Sequence, residues 1–130
     1  MIRVVVALLT PYRSDGSVDA DAVQAHVEGE GFSVVRSLVG HGIGRDMHED
    51  PQIPNFGDPD RGPELEEGMV LAVEPMVTAG RHAVRMGDDH WAIYSQDGSL
   101  AAHFEFTIAV TPDGPRILTP WHVGAKRAAA

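Results

Sequence analysis

"AAHFEFTIAVT", residues 101–111, decides how this chain folds. Phe104, Phe106 and Ile108 point to one side of an extended chain; Glu105, Thr107 and Ala109 point to the other. A period of two, carried by aromatic and β-branched residues, is the pattern of a strand with one buried face. Pro112-Asp113-Gly114 then turns the chain into "PRILTP". Before it, "AVRMGDDHWAIYSQDGS" (83–99) reads as a hairpin arm, a strand over "HWAIYS" and an Asp97-Gly98 turn. "MVLAVEPMV" (69–77) reads as another strand, apolar on both faces except at Glu74. The prolines and glycines of "DPQIPNFGDPDRGPELEEG" (50–68) predict a surface connection. Further upstream, "FSVVRSLV" (32–39) is a candidate strand. "DADAVQAHVEGE" (19–30) predicts a helix capped by Asp19, with Ala22, Val23, His26 and Val27 on one face. "IRVVVALL" (2–9) reads as a buried strand, followed by turn signals over 10–17. Strands joined by turns, with one helix, predict an α+β domain built on a mainly antiparallel sheet.

The 130 residues suit one domain, and 43% hydrophobic residues suffice for a core. Asp plus Glu outnumber Lys plus Arg 19 to 10, a formal charge of −9, which argues against nucleic acid as a partner. There is no cysteine, so any metal must be held by nitrogen and oxygen donors. The apolar run "VVVALL" is too short to span a membrane, and Thr10-Pro11 does not suit a signal-peptide cleavage site. A cytoplasmic location is expected.

Two acids stand out. Glu74 and Glu105 each lie within an apolar strand pattern, where a lone carboxylate is costly. Each could face solvent or pair with Arg81 or Arg85; alternatively both could hold metal. The stretch "LVGHGIGRDMHEDP" (38–51) favours the second reading. There His41 sits between two glycines, which let the backbone approach closely, and His48 follows seven residues later. A divalent ion on oxygen and imidazole ligands needs carboxylates on rigid elements and a neutral histidine. His48 would then be a hydrogen-bond donor to a developing oxyanion. His26, His82, His90, His103 and His122 read as ordinary structural or exposed histidines.

Three stretches, "GHGIGRDMHEDPQIPNFG", "LEEGMVLAVEPM" and "DGSLAAHFEFTIAVT", resemble consecutive motifs of the type I methionine aminopeptidases, metal-dependent hydrolases of the pita-bread fold. The similarity runs from about residue 22 to 120. It implies that His41, Glu74 and Glu105 are metal ligands, with Glu105 bridging two ions. It implies that Glu74 also handles the proton of the attacking water, and that His48 hydrogen-bonds the scissile peptide. Met47 and Trp91 match positions lining the pocket for the substrate methionine. The implied reaction removes an N-terminal methionine from a protein or peptide with a metal-activated water; the implied metal is cobalt, manganese, iron or zinc. The family usually has histidine after the bridging glutamate, where this chain has Phe106.

The family's first half supplies two aspartate ligands and another histidine. Asp15, Asp19 and Asp21 have neither the spacing nor the distance from His41 to serve, so no aspartate is assigned. One weak metal site is therefore expected rather than two. "VVVALLTPYRSDGSVDADAVQAHVE" (4–28) resembles the first strand and helix of the dihydrodipicolinate synthase family, without that family's catalytic lysine and tyrosine. The expected organisation is a segment of other origin over 1–21, a half pita-bread domain over 22–121 and a flexible tail over 122–130. The expected function is methionine aminopeptidase chemistry. The alternative is an inactive truncated or chimeric remnant acting as a metal-binding or interaction module. Half of a pseudo-symmetric domain would expose an apolar face and favour self-association.

Overall fold

The computed structural model describes residues 20–58 and 62–120. The expected strand over 2–9, the Asp19 cap and the tail with His122 lie outside the described residues.

The helix α1 spans Ala20–Gly29. Val23 and Val27 are half-buried, whereas Ala22 and His26 of the predicted face are exposed. Gly31, at φ +83°, ends the helix. The Phe32 N–H donates to the Val27 carbonyl at 3.1 Å, which satisfies a carbonyl left over at the helix end. The described helix is neither long nor apolar enough to cross a membrane.

Ten short strands follow: β1 (Ser33–Val34), β2 (Gly40–Gly42), β3 (Glu49–Ile53), β4 (Val70–Val73), β5 (Met76–Thr78), β6 (Val84–Met86), β7 (Ile93–Ser95), β8 (Ala101–His103), β9 (Phe106–Thr111) and β10 (Gly114–Ile117). All pairings are antiparallel. A five-stranded sheet has the order β10-β9-β4-β2-β3, a three-stranded sheet the order β1-β5-β8, and β6 and β7 form a separate hairpin.

The core lies on one face of the larger sheet. Ile53, Leu71, Val73, Phe106 and Ile108 are buried together, with Leu65, Met69, Val110 and Ile117 packed against them. Leu71 faces Ile108 and Val73 faces Phe106 across the β4–β9 ladder, so cross-strand pairs build the cluster. Leu71 and Ile108 are fully buried, each contributing about 1.5–3 kcal/mol. Val34 and Thr78 are the fully buried pair of the smaller sheet.

The structure corrects four expectations. The strands expected over 69–77 and 101–111 are each broken. β4 leaves the larger sheet at Glu74-Pro75 and continues as β5 in the smaller one. β8 leaves the smaller sheet at Phe104-Glu105 and continues as β9 in the larger one. Proline lacks the N–H needed to carry on a ladder, which accounts for the first break. The segment expected as a connection over 50–68 starts inside β3, an edge strand, where Pro51 is tolerated because one side of the strand has no partner. The strand expected over 32–39 shrinks to β1 because Arg36 and Ser37 are exposed and bend away.

Candidate metal centre

The two breaks face each other. Val73 pairs with Phe106 on one side of them, and Met76 pairs with His103 on the other. The Phe104 N–H donates to the Pro75 carbonyl at 3.2 Å in between. One continuous register therefore runs through both sheets, and it sets Glu74 opposite Glu105. Two carboxylates directly opposite one another are mutually destabilising unless a cation joins them.

His41 enters from β2, the strand next to β4, where it pairs with Ala72. The β2–β3 register shifts between His41 and Gly42, an irregularity of the kind that re-aims a side chain. The flanking glycines are required by the neighbouring strands. A Cβ on Gly40 would run into the Ala72 carbonyl, and one on Gly42 into the Asp50 carbonyl. Their absent side chains thus let β3 and β4 close on β2, the close backbone approach expected of them.

The His41 Nδ1 lies 2.9 Å from the Gly42 carbonyl oxygen. A carbonyl only accepts, so Nδ1 carries the hydrogen. Nε2 then faces Glu74 Oε1 at 3.2 Å. On a neutral ring Nε2 holds a lone pair, which a carboxylate oxygen opposes unless a proton or a metal ion lies between them. The backbone carbonyl that fixes the ring is also the usual partner behind a metal-ligating histidine. His41 and Glu74 side chains are only 15% and 13% exposed, so water screens this contact weakly. Among the described residues, Glu74, Glu105 and His103 bring ligand atoms within 4.8 Å of one another, and His41 reaches this group through Glu74; such nitrogen and oxygen donors fit a divalent cation.

His48 comes from the bend over 44–48, with its ring centroid 4.3 Å from that of His41 and the planes tilted by 52°. The bend is braced by Glu49, whose carboxylate accepts the Asp46 N–H at 2.9 Å, while the Gly44 N–H donates to the Asp46 carbonyl. Met47 and Trp91 are exposed, at 70% and 87%. Met47 shares the His48 bend; Trp91 lies in the turn between β6 and β7, where Asp89 accepts its N–H.

Two residues in this region were not assigned from the sequence. His103, read as an ordinary histidine, places Nε2 3.0 Å from Glu74 Oε2. The alternation of 101–111 already put it on the Glu105 side, two residues away. Asn55, 3% exposed, donates from Nδ2 to the Glu74 backbone carbonyl at 3.3 Å. Glu74 is thus met by two histidines; of the arginines considered for it, Arg85 instead lies over the Tyr94 ring at 5.0 Å.

The profile of metallopeptidase family M24 matches residues 2–112. The chain belongs to metallopeptidase family M24. Among M24 relatives, a methionine aminopeptidase of Clostridium perfringens is 57% identical over 100 residues, covering 77% of this chain and 40% of the relative. Methionine aminopeptidase 1 of Bacillus subtilis is 57% identical over 98 residues, covering 75% of this chain and 40% of that protein. The crystal structure of a methionine aminopeptidase from Thermotoga maritima superposes with a TM-score of 0.75 at 48% identity, covering 86% of this chain and 45% of that one. The chain therefore spans less than half the length of these relatives. The architecture is that part of the pita-bread fold which the matched region provides. The M24 match takes in residues 2–21, and these relatives lend no support to the resemblance of that segment to dihydrodipicolinate synthases.

Proposed function

We propose that this chain carries part of the metal centre of a methionine aminopeptidase, acting on the N-terminal methionine of peptides or nascent proteins in the cytoplasm. One observation carries the reading: a single strand register sets Glu74 against Glu105, and Glu74 Oε1 lies 3.2 Å from His41 Nε2. His41, Glu74 and Glu105 would hold the ion. A bound divalent metal would supply Lewis-acid polarisation of the scissile carbonyl and a more acidic water.

The remaining chemistry belongs to side chains. A carboxylate oxygen of Glu74 accepts the proton of the attacking water. His48 donates an N–H to the oxygen on which charge develops, since its ring is held beside His41 by the Glu49-braced bend. Met47 and Trp91 offer apolar surface to the methionine side chain. His41, Glu74 and Glu105 supply one nitrogen donor and two carboxylates, so one weakly held cobalt, manganese, iron or zinc ion is proposed for these residues rather than two.

Cleavage of a Met-Ala-Ser peptide by the 130-residue chain, with cobalt or manganese added, tests the proposal. Turnover that vanishes in His41→Ala and Glu105→Ala is the expected result. Absence of turnover at every metal concentration would remove the catalytic reading for this chain. A second reading, a metal-binding or interaction module without turnover, draws on the β6–β7 hairpin. There Met86, Trp91, Ile93 and Tyr94 are all more than 40% exposed. Size-exclusion with light scattering separates the two: self-association without turnover favours the module.

A further inference from the structure

His103 has no part in the ligand set implied by the family resemblance, yet its imidazole approaches the same carboxylate. The Glu74 carboxylate is flanked on both sides, with His41 Nε2 3.2 Å from Oε1 and His103 Nε2 3.0 Å from Oε2. Ligand atoms of Glu74, His103 and Glu105 all lie within 4.8 Å of one another. We propose that His103 is a metal ligand in this chain, joining Glu74 and Glu105 around the one proposed ion. The proposal rests on the metal-centre reading above and extends it to a residue outside that set.

Three arguments support it. The donors are one imidazole and two carboxylates, a set that suits manganese, iron, cobalt or zinc and offsets the charge of a dication. Their positions follow from one strand: His103 ends β8 and Glu105 follows two residues later, so a single backbone segment aims both. The spacing also fits. Ligand atoms bound about 2.0–2.2 Å from one ion, at right or tetrahedral angles, lie roughly 3.0–3.5 Å apart, and the Nε2–Oε2 separation is 3.0 Å. The competing account is a surface ion pair, since the His103 side chain is 48% exposed. Such a pair would hold the ring in place and carry no metal affinity.

Cobalt titration of the full 130-residue chain distinguishes these accounts, followed by calorimetry and by the visible absorption of the bound ion. His103→Ala and the milder His103→Gln are compared with wild type and with His41→Ala, with circular dichroism confirming that each variant folds. The expected result is a tenfold or greater loss of cobalt affinity and an altered absorption band in His103→Ala, with wild type binding one ion and His41→Ala, which removes another ligand of that ion, also weakened. Wild-type affinity and an unchanged band in both His103 variants would reduce His103 to an ion-pair partner and leave the metal-centre reading standing. If wild type itself binds no cobalt, the metal-centre reading fails and this proposal with it.

Discussion

Asn55 stands outside the proposed ligand set, yet it holds the backbone that carries Glu74. Its amide is buried and donates to the Glu74 main-chain carbonyl at 3.3 Å, next to the break at Pro75 where regular pairing stops. In Asn55→Ala that carbonyl loses its donor. An unpaired buried carbonyl costs about 1–3 kcal/mol. A bond of 3.3 Å lies at the long end of the normal range, so the lower half, about 1–2 kcal/mol, applies. For a chain of 130 residues this corresponds to a fall in Tm of about 4–8 °C at roughly 4 °C per kcal/mol. Because the lost bond fixes the backbone that carries a ligand, metal affinity should fall as well, by about 10–100-fold. Asn55→Asp should be at least as damaging at neutral pH, since an ionised carboxylate has no hydrogen to donate and faces a carbonyl oxygen. The assay is a thermal melt by circular dichroism paired with manganese titration of the folded protein. A loss of several degrees of Tm in Asn55→Ala with wild-type manganese affinity would refute this role. Asn55 would then merely fill the interior.

Further outcomes follow from the same geometry. Gly40→Ala forces a methyl group against the Ala72 carbonyl and to 3.2 Å from the Ile53 carbonyl; because neither backbone atom can rotate aside, a loss of about 1–3 kcal/mol or more is expected in urea unfolding. Leu71→Ala empties the fully buried centre of the β4–β9 ladder and should cost about 2–5 kcal/mol; a loss under about 1 kcal/mol would mean that the core cluster is not as described. The exposed Asp97 carboxylate is held down to about 2, first by the Arg81 backbone N–H and then by the hydrogen bonds of Ser99. A depressed carboxylate stabilises the fold above its unfolded value, about 3.9, and stops doing so as pH falls through the folded one. Asp97→Asn should therefore lower Tm at pH 7, with the gap to wild type closing between about pH 4 and pH 2; a gap independent of pH would refute the assignment.

Much of this fold was legible because the period of two survives in it. Phe106 and Ile108 are buried as the alternation requires, and the helix ends at the predicted glycine region. The two breaks were not legible for the same reason. The register passes through them without a slip, so the alternation continues across a change of sheet and gives no sign of it. Only Pro75 marked one of them, and nothing in "HFEF" marked the other. At the site, spacing and flanking glycines picked out His41 and His48, and apolar surroundings picked out Glu74 and Glu105. His103 escaped because a histidine near a strand end is ordinary until its neighbour across the sheet is known. Asn55 escaped because its partner is a main-chain carbonyl, which carries no residue type.

The paired breaks tie the site to the register. Glu74 and Glu105 sit where two strands pass together from one sheet into the other, so one pair of strands carries both carboxylates and joins both sheets. A one-residue insertion or deletion in either crossing strand would turn one carboxylate to the opposite face and leave the other without its counterpart.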